Sequence, residues 1–100
     1  MHGTFIEDSD NNIILHLTTF NTHTQHGLFL DNSHSNIFYN LHSTHNNSEG
    51  IYLLDSSYNT LVNTAVLVND IYGVWINANT GTSSDNVFLN PPEGVLFPAS

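Results

Sequence analysis

The sequence predicts an all-β solenoid, one domain over residues 1–100 built from about four coils. Three observations predict it. A segment led by serine and asparagine recurs four times: SDNNIILH (9–16), SHSNIFYN (33–40), SSYNTLVN (56–63) and SSDNVFLN (83–90). A segment led by glycine recurs five times: GTFI (3–6), GLFL (27–30), GIYL (50–53), GVWI (73–76) and GVLF (94–97). Both alternate with the two-residue period of a β-strand, and no window has the 3.6-residue period of a capped helix.

The repeat length follows from the spacing. The asparagines Asn12, Asn36, Asn59 and Asn86 advance by 24, 23 and 27 residues, and the glycines Gly3, Gly27, Gly50, Gly73 and Gly94 by 24, 23, 23 and 21. One unit is therefore close to 23 residues. That is too short for a strand–helix–strand crossover with a further strand, and it fits two or three short strands joined by tight turns. A single such coil cannot bury its apolar face, so coils must stack to make a core.

Each coil is justified in turn. In the first, Thr4 and Ile6 point inward from the glycine-led strand and Phe5 outward. In the second and third, Leu28/Leu30 and Ile51/Leu53 face in, while Phe29 and Tyr52 face out. In the fourth, Val74/Ile76 face in and Trp75 out. The asparagine-led strands carry a second outward stripe: Ile13/Leu15, Ile37/Tyr39, Thr60/Val62 and Val87/Leu89. A third short strand occupies the middle of each unit. The turn from Ala78 to Ser84 carries a four-residue insertion, and Pro91 and Pro92 cut the last coil short because proline cannot donate to a ladder. The termini share one strand phase and show no capping element, so the chain is expected to be a fragment of a longer β-helix or a stacking subunit.

These motifs carry a resemblance. The pattern Gly-apolar-x-apolar, a polar turn, then Ser-x-x-Asn-x-apolar-x-Asn is similar to the right-handed parallel β-helix repeat. Residues 50–76 (GIYLLDSSYNTLVNTAVLVNDIYGVWI) resemble repeats of the NosD-like and pectin-lyase-like families. The resemblance spans about residues 3–97 and implies a right-handed parallel β-helix with inward asparagines stacked coil on coil. Identical amides in register can hydrogen-bond along such a stack, because each carries two donors and an acceptor. Asn12, Asn36, Asn59 and Asn86 are assigned to that structural ladder. A second ladder is expected at His16, Asn40, Asn63 and Asn90.

Composition excludes several functions. The chain has nine acidic residues, no lysine and no arginine, for a formal charge of −9. Nothing can neutralise a phosphate backbone, so no nucleic acid is expected as partner. Walker-type phosphate loops and guanidinium clamps are excluded for the same reason. There is no cysteine, hence no disulfide and no thiolate chemistry. No apolar run is long enough to insert in a membrane as a helix. Neutral polar side chains fill the place of charges: 15 Asn, 10 Ser and 10 Thr.

Four candidate features remain. Phe5, Phe29, Tyr52 and Trp75 form an outward aromatic stripe, read as an interface or as a glycan-binding strip. Rungs two coils apart would be roughly 10 Å apart, near a disaccharide repeat. Glu7, Asp8, Asp31 and Asp55 gather near one turn. Pectin-cleaving β-helix enzymes pair such carboxylates with lysine or arginine, which this chain lacks, so no catalytic residue is assigned and the chain is expected not to be an enzyme. The seven histidines show no fixed ligand spacing. His2 and His26 each precede a coil glycine, with Glu49 on the next rung, but no metal and no cofactor is assigned. Asn46-Asn47-Ser48 is a glycosylation sequon in an expected turn. The expectation is a non-enzymatic structural module, extracellular or on a cell or virion surface. It would pair with itself as a fibre or homo-oligomer, or bind a glycan.

Overall fold

The computed structural model describes residues 3–20, 26–67, 71 and 73–89. Eleven strands are described there, and no helix. The first coil contributes β1 (Thr4–Glu7), β2 (Ile13–Leu15) and β3 (Thr18–Phe20). The second contributes β4 (Leu28–Asp31), β5 (Ile37–Tyr39) and β6 (His42–Thr44), and the third β7 (Ile51–Leu54), β8 (Thr60–Val62) and β9 (Ala65–Leu67). β10 (Val74–Asn77) and β11 (Val87–Leu89) begin a fourth. Three coils are thus complete; Pro91, Pro92 and the last glycine-led segment lie outside the described residues.

Strands of equal phase pair in parallel and make three walls: β1-β4-β7-β10, β2-β5-β8-β11 and β3-β6-β9. The register keeps each repeat position above its counterpart, as in Phe5↔Phe29, Phe29↔Tyr52 and Trp75↔Tyr52. A one-residue slip would send every inward side chain outward, so the apolar alternation fixes this register. Leu28, Leu30, Phe38, Leu41, Ile51, Leu53, Leu61 and Val74 are fully buried between the walls. Ile6, Ile14, Ile76 and Phe88 pack against them from the outermost coils and stay partly open.

The corners explain much of the asparagine content. Asp8, Asn32 and Asp55 turn the first corner at φ 49°. Asn11, Ser35, Tyr58 and Asp85 sit at the end of the same turn with φ between 56° and 61°. His16, Asn40 and Asn63 turn the second corner at φ 58°, 58° and 53°. Short polar residues tolerate this left-handed backbone better than most others. The expected second ladder is therefore corrected. His16, Asn40 and Asn63 are exposed corner residues, not inward amides; Asn90 lies outside the described residues.

Candidate functional site

The inward asparagines form a directional ladder. Asn36 Oδ1 accepts from Asn12 N and Asn12 Nδ2, both at 2.9 Å. Asn59 Oδ1 accepts from Asn36 N at 2.9 Å. Asn86 Oδ1 accepts from Asn59 N at 3.0 Å and from Asn59 Nδ2 at 3.1 Å. Each amide also donates back to the preceding coil: Asn36 to Ser9 O, Asn59 to Ser33 O and Asn86 to Ser56 O. Sequence reasoning missed a second, serine ladder three residues earlier. Ser33 Oγ accepts from Ser9 N, Ser56 Oγ from Ser33 N and Ser83 Oγ from Ser56 N, at 3.1, 3.0 and 2.8 Å. Its signal was the serine that opens every asparagine-led segment.

The insertion after β10 has a specific anchor. The Asp55 carboxylate accepts from Asn79 N, Thr80 N and Thr80 Oγ1. These donors, Asn79 first, hold its carboxyl below the ordinary value, against the opposing effect of burial. Asp55 is thus a loop latch, whereas Glu7 and Asp8 remain exposed.

The aromatic stripe is a continuous stack. Ring centroids lie 5.0 Å apart for Phe5–Phe29, 4.9 Å for Phe29–Tyr52 and 5.0 Å for Tyr52–Trp75, with interplanar angles of 19°, 7° and 13°. Phe29 and Tyr52 have a neighbour against each face, so a pyranose cannot lie flat on either. What the strip offers is ring edges, the Tyr52 hydroxyl held 3.3 Å from Asn77 Nδ2, and the outward carboxylates Glu7 and Asp31, which are register neighbours.

His26 and Glu49 meet beside this stack. The His26 ring stands edge-on to Phe29 at 5.2 Å and to Tyr52 at 4.7 Å. Its Nδ1 lies 2.7 Å from Glu49 Oε1, which also accepts from Ser48 Oγ at 2.8 Å. Glu49 is only 1% exposed. Burial pushes the His26 imidazole down to about 4, so it is uncharged at neutral pH. With the imidazole uncharged, the two side chains make a close contact and not an ion pair at neutral pH. The sequence placed His26 and Glu49 on consecutive rungs; the structure adds their contact and their place against the rings. His2, on the preceding rung, lies outside the described residues. Among the described residues no three histidine or acidic side chains converge as a metal site.

Asn46, the sequon asparagine, is fully buried. Its Nδ2 donates to Ser43 Oγ at 3.1 Å. The sequon lies in the bend after β6 with its asparagine packed inside, so the folded chain offers no amide there for a glycan.

Comparison with known proteins fits this architecture. The chain belongs to the right-handed β-helix family, whose model, described as the right handed beta helix region, matches residues 1–98. No curated protein sequence matches the chain. Among solved structures, the chain is similar to the periplasmic alginate epimerase AlgG, with a TM-score of 0.72 and 30% identity over 85% of this chain and 20% of that one. A double mutant of that epimerase gives 0.77 and 28% over 87% and 20%. The chain thus spans about a fifth of those epimerase chains. The expectation that the chain is not an enzyme is corrected by this likeness: the similar β-helix belongs to an enzyme. Absence of lysine and arginine excludes one catalytic arrangement and does not exclude chemistry on this scaffold.

Proposed function

We propose that the chain is a polysaccharide-facing section of a carbohydrate-active β-helix, placed outside the cytoplasm. The observation that carries this reading is the outward strip of the first wall. Stacked rings and the Tyr52–Asn77 pair lie together on it, with the His26 ring edge-on beside them. The likeness to a periplasmic alginate epimerase supports the substrate class. The polymer runs along the wall, contacting ring edges at the inter-coil spacing of about 4.8 Å. With no lysine or arginine in the sequence, the strip favours neutral polymers, and an anionic one needs a divalent cation to bridge it to Glu7 and Asp31. Affinity electrophoresis through neutral polysaccharides and through alginate, with and without Ca²⁺, tests this. Retardation by a neutral polymer, lost in Trp75→Ala, is expected. No retardation in any gel overturns the reading.

A second reading is assembly into a fibre or homo-oligomer by lateral packing of copies. It is favoured by the exposed apolar stripe of the second wall, Ile13, Leu15, Tyr39, Val87 and Leu89. Sedimentation over a concentration series tests it. Growth in mass is expected, and a monomer throughout overturns it.

A further inference from the structure

The outward face of the first wall is two columns wide. Phe5, Phe29, Tyr52 and Trp75 form one. Glu7, Asp31, Leu54 and Asn77, two residues further along each strand and on the same face, form the other. The ring column is evenly spaced, at 5.0, 4.9 and 5.0 Å over three steps. Its near-parallel rings turn their edges outward as a ridge with one rung per coil. Every column of a solenoid has a rung of about this length; among the described residues, this one alone carries a ring on all four rungs. Asn77 fixes the chemistry at the third rung. Its Oδ1 accepts from Ala78 N at 2.9 Å, which sets the amide so that Nδ2 faces the Tyr52 oxygen at 3.3 Å. The amide donates and the phenol oxygen accepts, so the Tyr52 O–H keeps its own proton to give. No described residue takes it. Glu7 and Asp31 hold the second column at the first two rungs, where ionised carboxylates accept and cannot donate. The strip thus joins apolar ring edges to one hydroxyl donor and two carboxylate acceptors. That set pairs with sugar hydroxyls and repels uronate carboxylates.

We propose that the strip binds neutral, β-(1→4)-linked polysaccharide in its extended form, one sugar per coil, with the Tyr52 hydroxyl donating to the sugar on the third rung. The proposal rests on the carbohydrate reading above and adds linkage and register. A chain joined through equatorial 1- and 4-oxygens is a straight ribbon. Its advance per sugar is half of a disaccharide repeat of roughly 10 Å, the length of one rung. Each sugar then meets one ring edge, and the match persists from coil to coil. Chains linked α-(1→4) or β-(1→3) bend at each linkage and wind into helices. A mismatch of about 1 Å per sugar grows to about 3 Å over three rungs, most of one inter-coil spacing. Such chains meet one or two rings at a time.

Trp75 is the single tryptophan of the chain, so its fluorescence reports occupancy of the strip without a label. The proposal is tested by titration with the β-(1→4) hexamers of glucose, mannose and xylose, and with maltohexaose and laminarihexaose as bent controls. At least one straight hexamer is expected to bind about 10-fold or more tightly than both bent ones. Its shorter oligomers should lose affinity with each sugar removed from four to two. Tyr52→Phe keeps the ring stack and the reporter, and should weaken the preferred hexamer by about 3–10-fold, the loss of one net hydrogen bond. Equal binding of straight and bent hexamers overturns the linkage and the register while the carbohydrate reading stands. Unchanged affinity in Tyr52→Phe overturns the donor assigned to the third rung. No response to any hexamer overturns the whole proposal, and if the polysaccharide gels also show no retardation, the carbohydrate reading falls with it.

Discussion

Asn59→Ala should be among the most damaging single changes in the chain, and the structure sets its size. Asn59 is fully buried in the middle of the ladder. Its Oδ1 takes the Asn36 N–H, and its Nδ2 serves both Ser33 O and Asn86 Oδ1. Truncation strands the Asn36 donor and the Ser33 acceptor, both in fully buried residues. Each orphaned buried group costs about 1–3 kcal/mol, so the pair costs about 4 kcal/mol. Against a typical total of about 5–15 kcal/mol that is a large loss. Asn12→Ala is the control. Asn12 is the exposed first rung and its side chain makes a single described hydrogen bond, to an oxygen that keeps the Asn12 N–H. Its loss should cost about 1 kcal/mol or less. Urea unfolding followed by far-UV circular dichroism reads the difference. With a slope near 2 kcal/mol/M, Asn59→Ala should lower the midpoint by about 2 M and Asn12→Ala by less than about 0.5 M. Equal shifts would refute the claim that buried amide satisfaction, and not asparagine content, holds the coils together.

Four further outcomes are expected. Gly27→Ala should lower stability by about 2–3 kcal/mol, because its methyl would press on Ser43 Oγ, on Asn46 Nδ2 at 2.6 Å and on Gly50 O at 2.7 Å; thermal melts check this. Tyr58→Asn should raise stability by about 0.5–1 kcal/mol, since a bulky side chain 61% exposed at φ 61° gives way to one that suits the left-handed corner. Asp55 has a carboxyl held below its ordinary value of 3.8. Its contribution is therefore complete above that value and fades as pH falls through it. The difference in urea midpoint between wild type and Asp55→Asn should be constant from pH 7 to 5 and shrink below about pH 4. Expression in a glycosylating host should leave the Asn46 sequon unmodified by intact-mass analysis, while Gly27→Ala, by loosening the corner that encloses it, should permit partial occupancy.

The coil architecture was legible because solenoid repetition writes the same physical constraint into the sequence several times. One glycine-led segment proves little, but five in step, each followed by inward apolar alternation, define a wall. The ladder at Asn12, Asn36, Asn59 and Asn86 was equally legible, since identical spacing implies stacking. The second asparagine column misled for an instructive reason. His16, Asn40 and Asn63 also recur in step, yet asparagine has two uses, as a buried amide and as a residue tolerant of positive φ. Spacing cannot separate them; the histidine in that column was the discriminating sign, because imidazole does not continue an amide ladder. The stack of Phe5, Phe29, Tyr52 and Trp75 was placed correctly on the outer face, but flat sugar-binding faces did not follow from it. Rings in register at the inter-coil distance are close enough to cover one another. The His26–Glu49 contact joins two different residue types on adjacent rungs and so left no repeat signature.

The missing cations and the few anions have one cause in this geometry. A solenoid brings each repeat position against its copies at about 4.8 Å. Two like charges at that distance cost about 1 kcal/mol even in water, and a column of them repeats the cost at every junction. A column of amides or hydroxyls instead gains about 1 kcal/mol at each junction. Selection on repeated coils therefore favours Asn, Ser and Thr over Lys, Arg, Asp and Glu. Where acids do occur in a column, the run is short. Asp8 is followed by Asn32, whose Nδ2 donates to Asp8 Oδ1 at 2.7 Å. Asp55 follows Asn32, and its carboxylate turns to the 79–81 loop. Glu7 and Asp31 are adjacent, but Leu54 and Asn77 end that column. The same arithmetic governs partners. On the proposed reading, a polymer along the first wall is neutral or carries its own cation past Glu7 and Asp31.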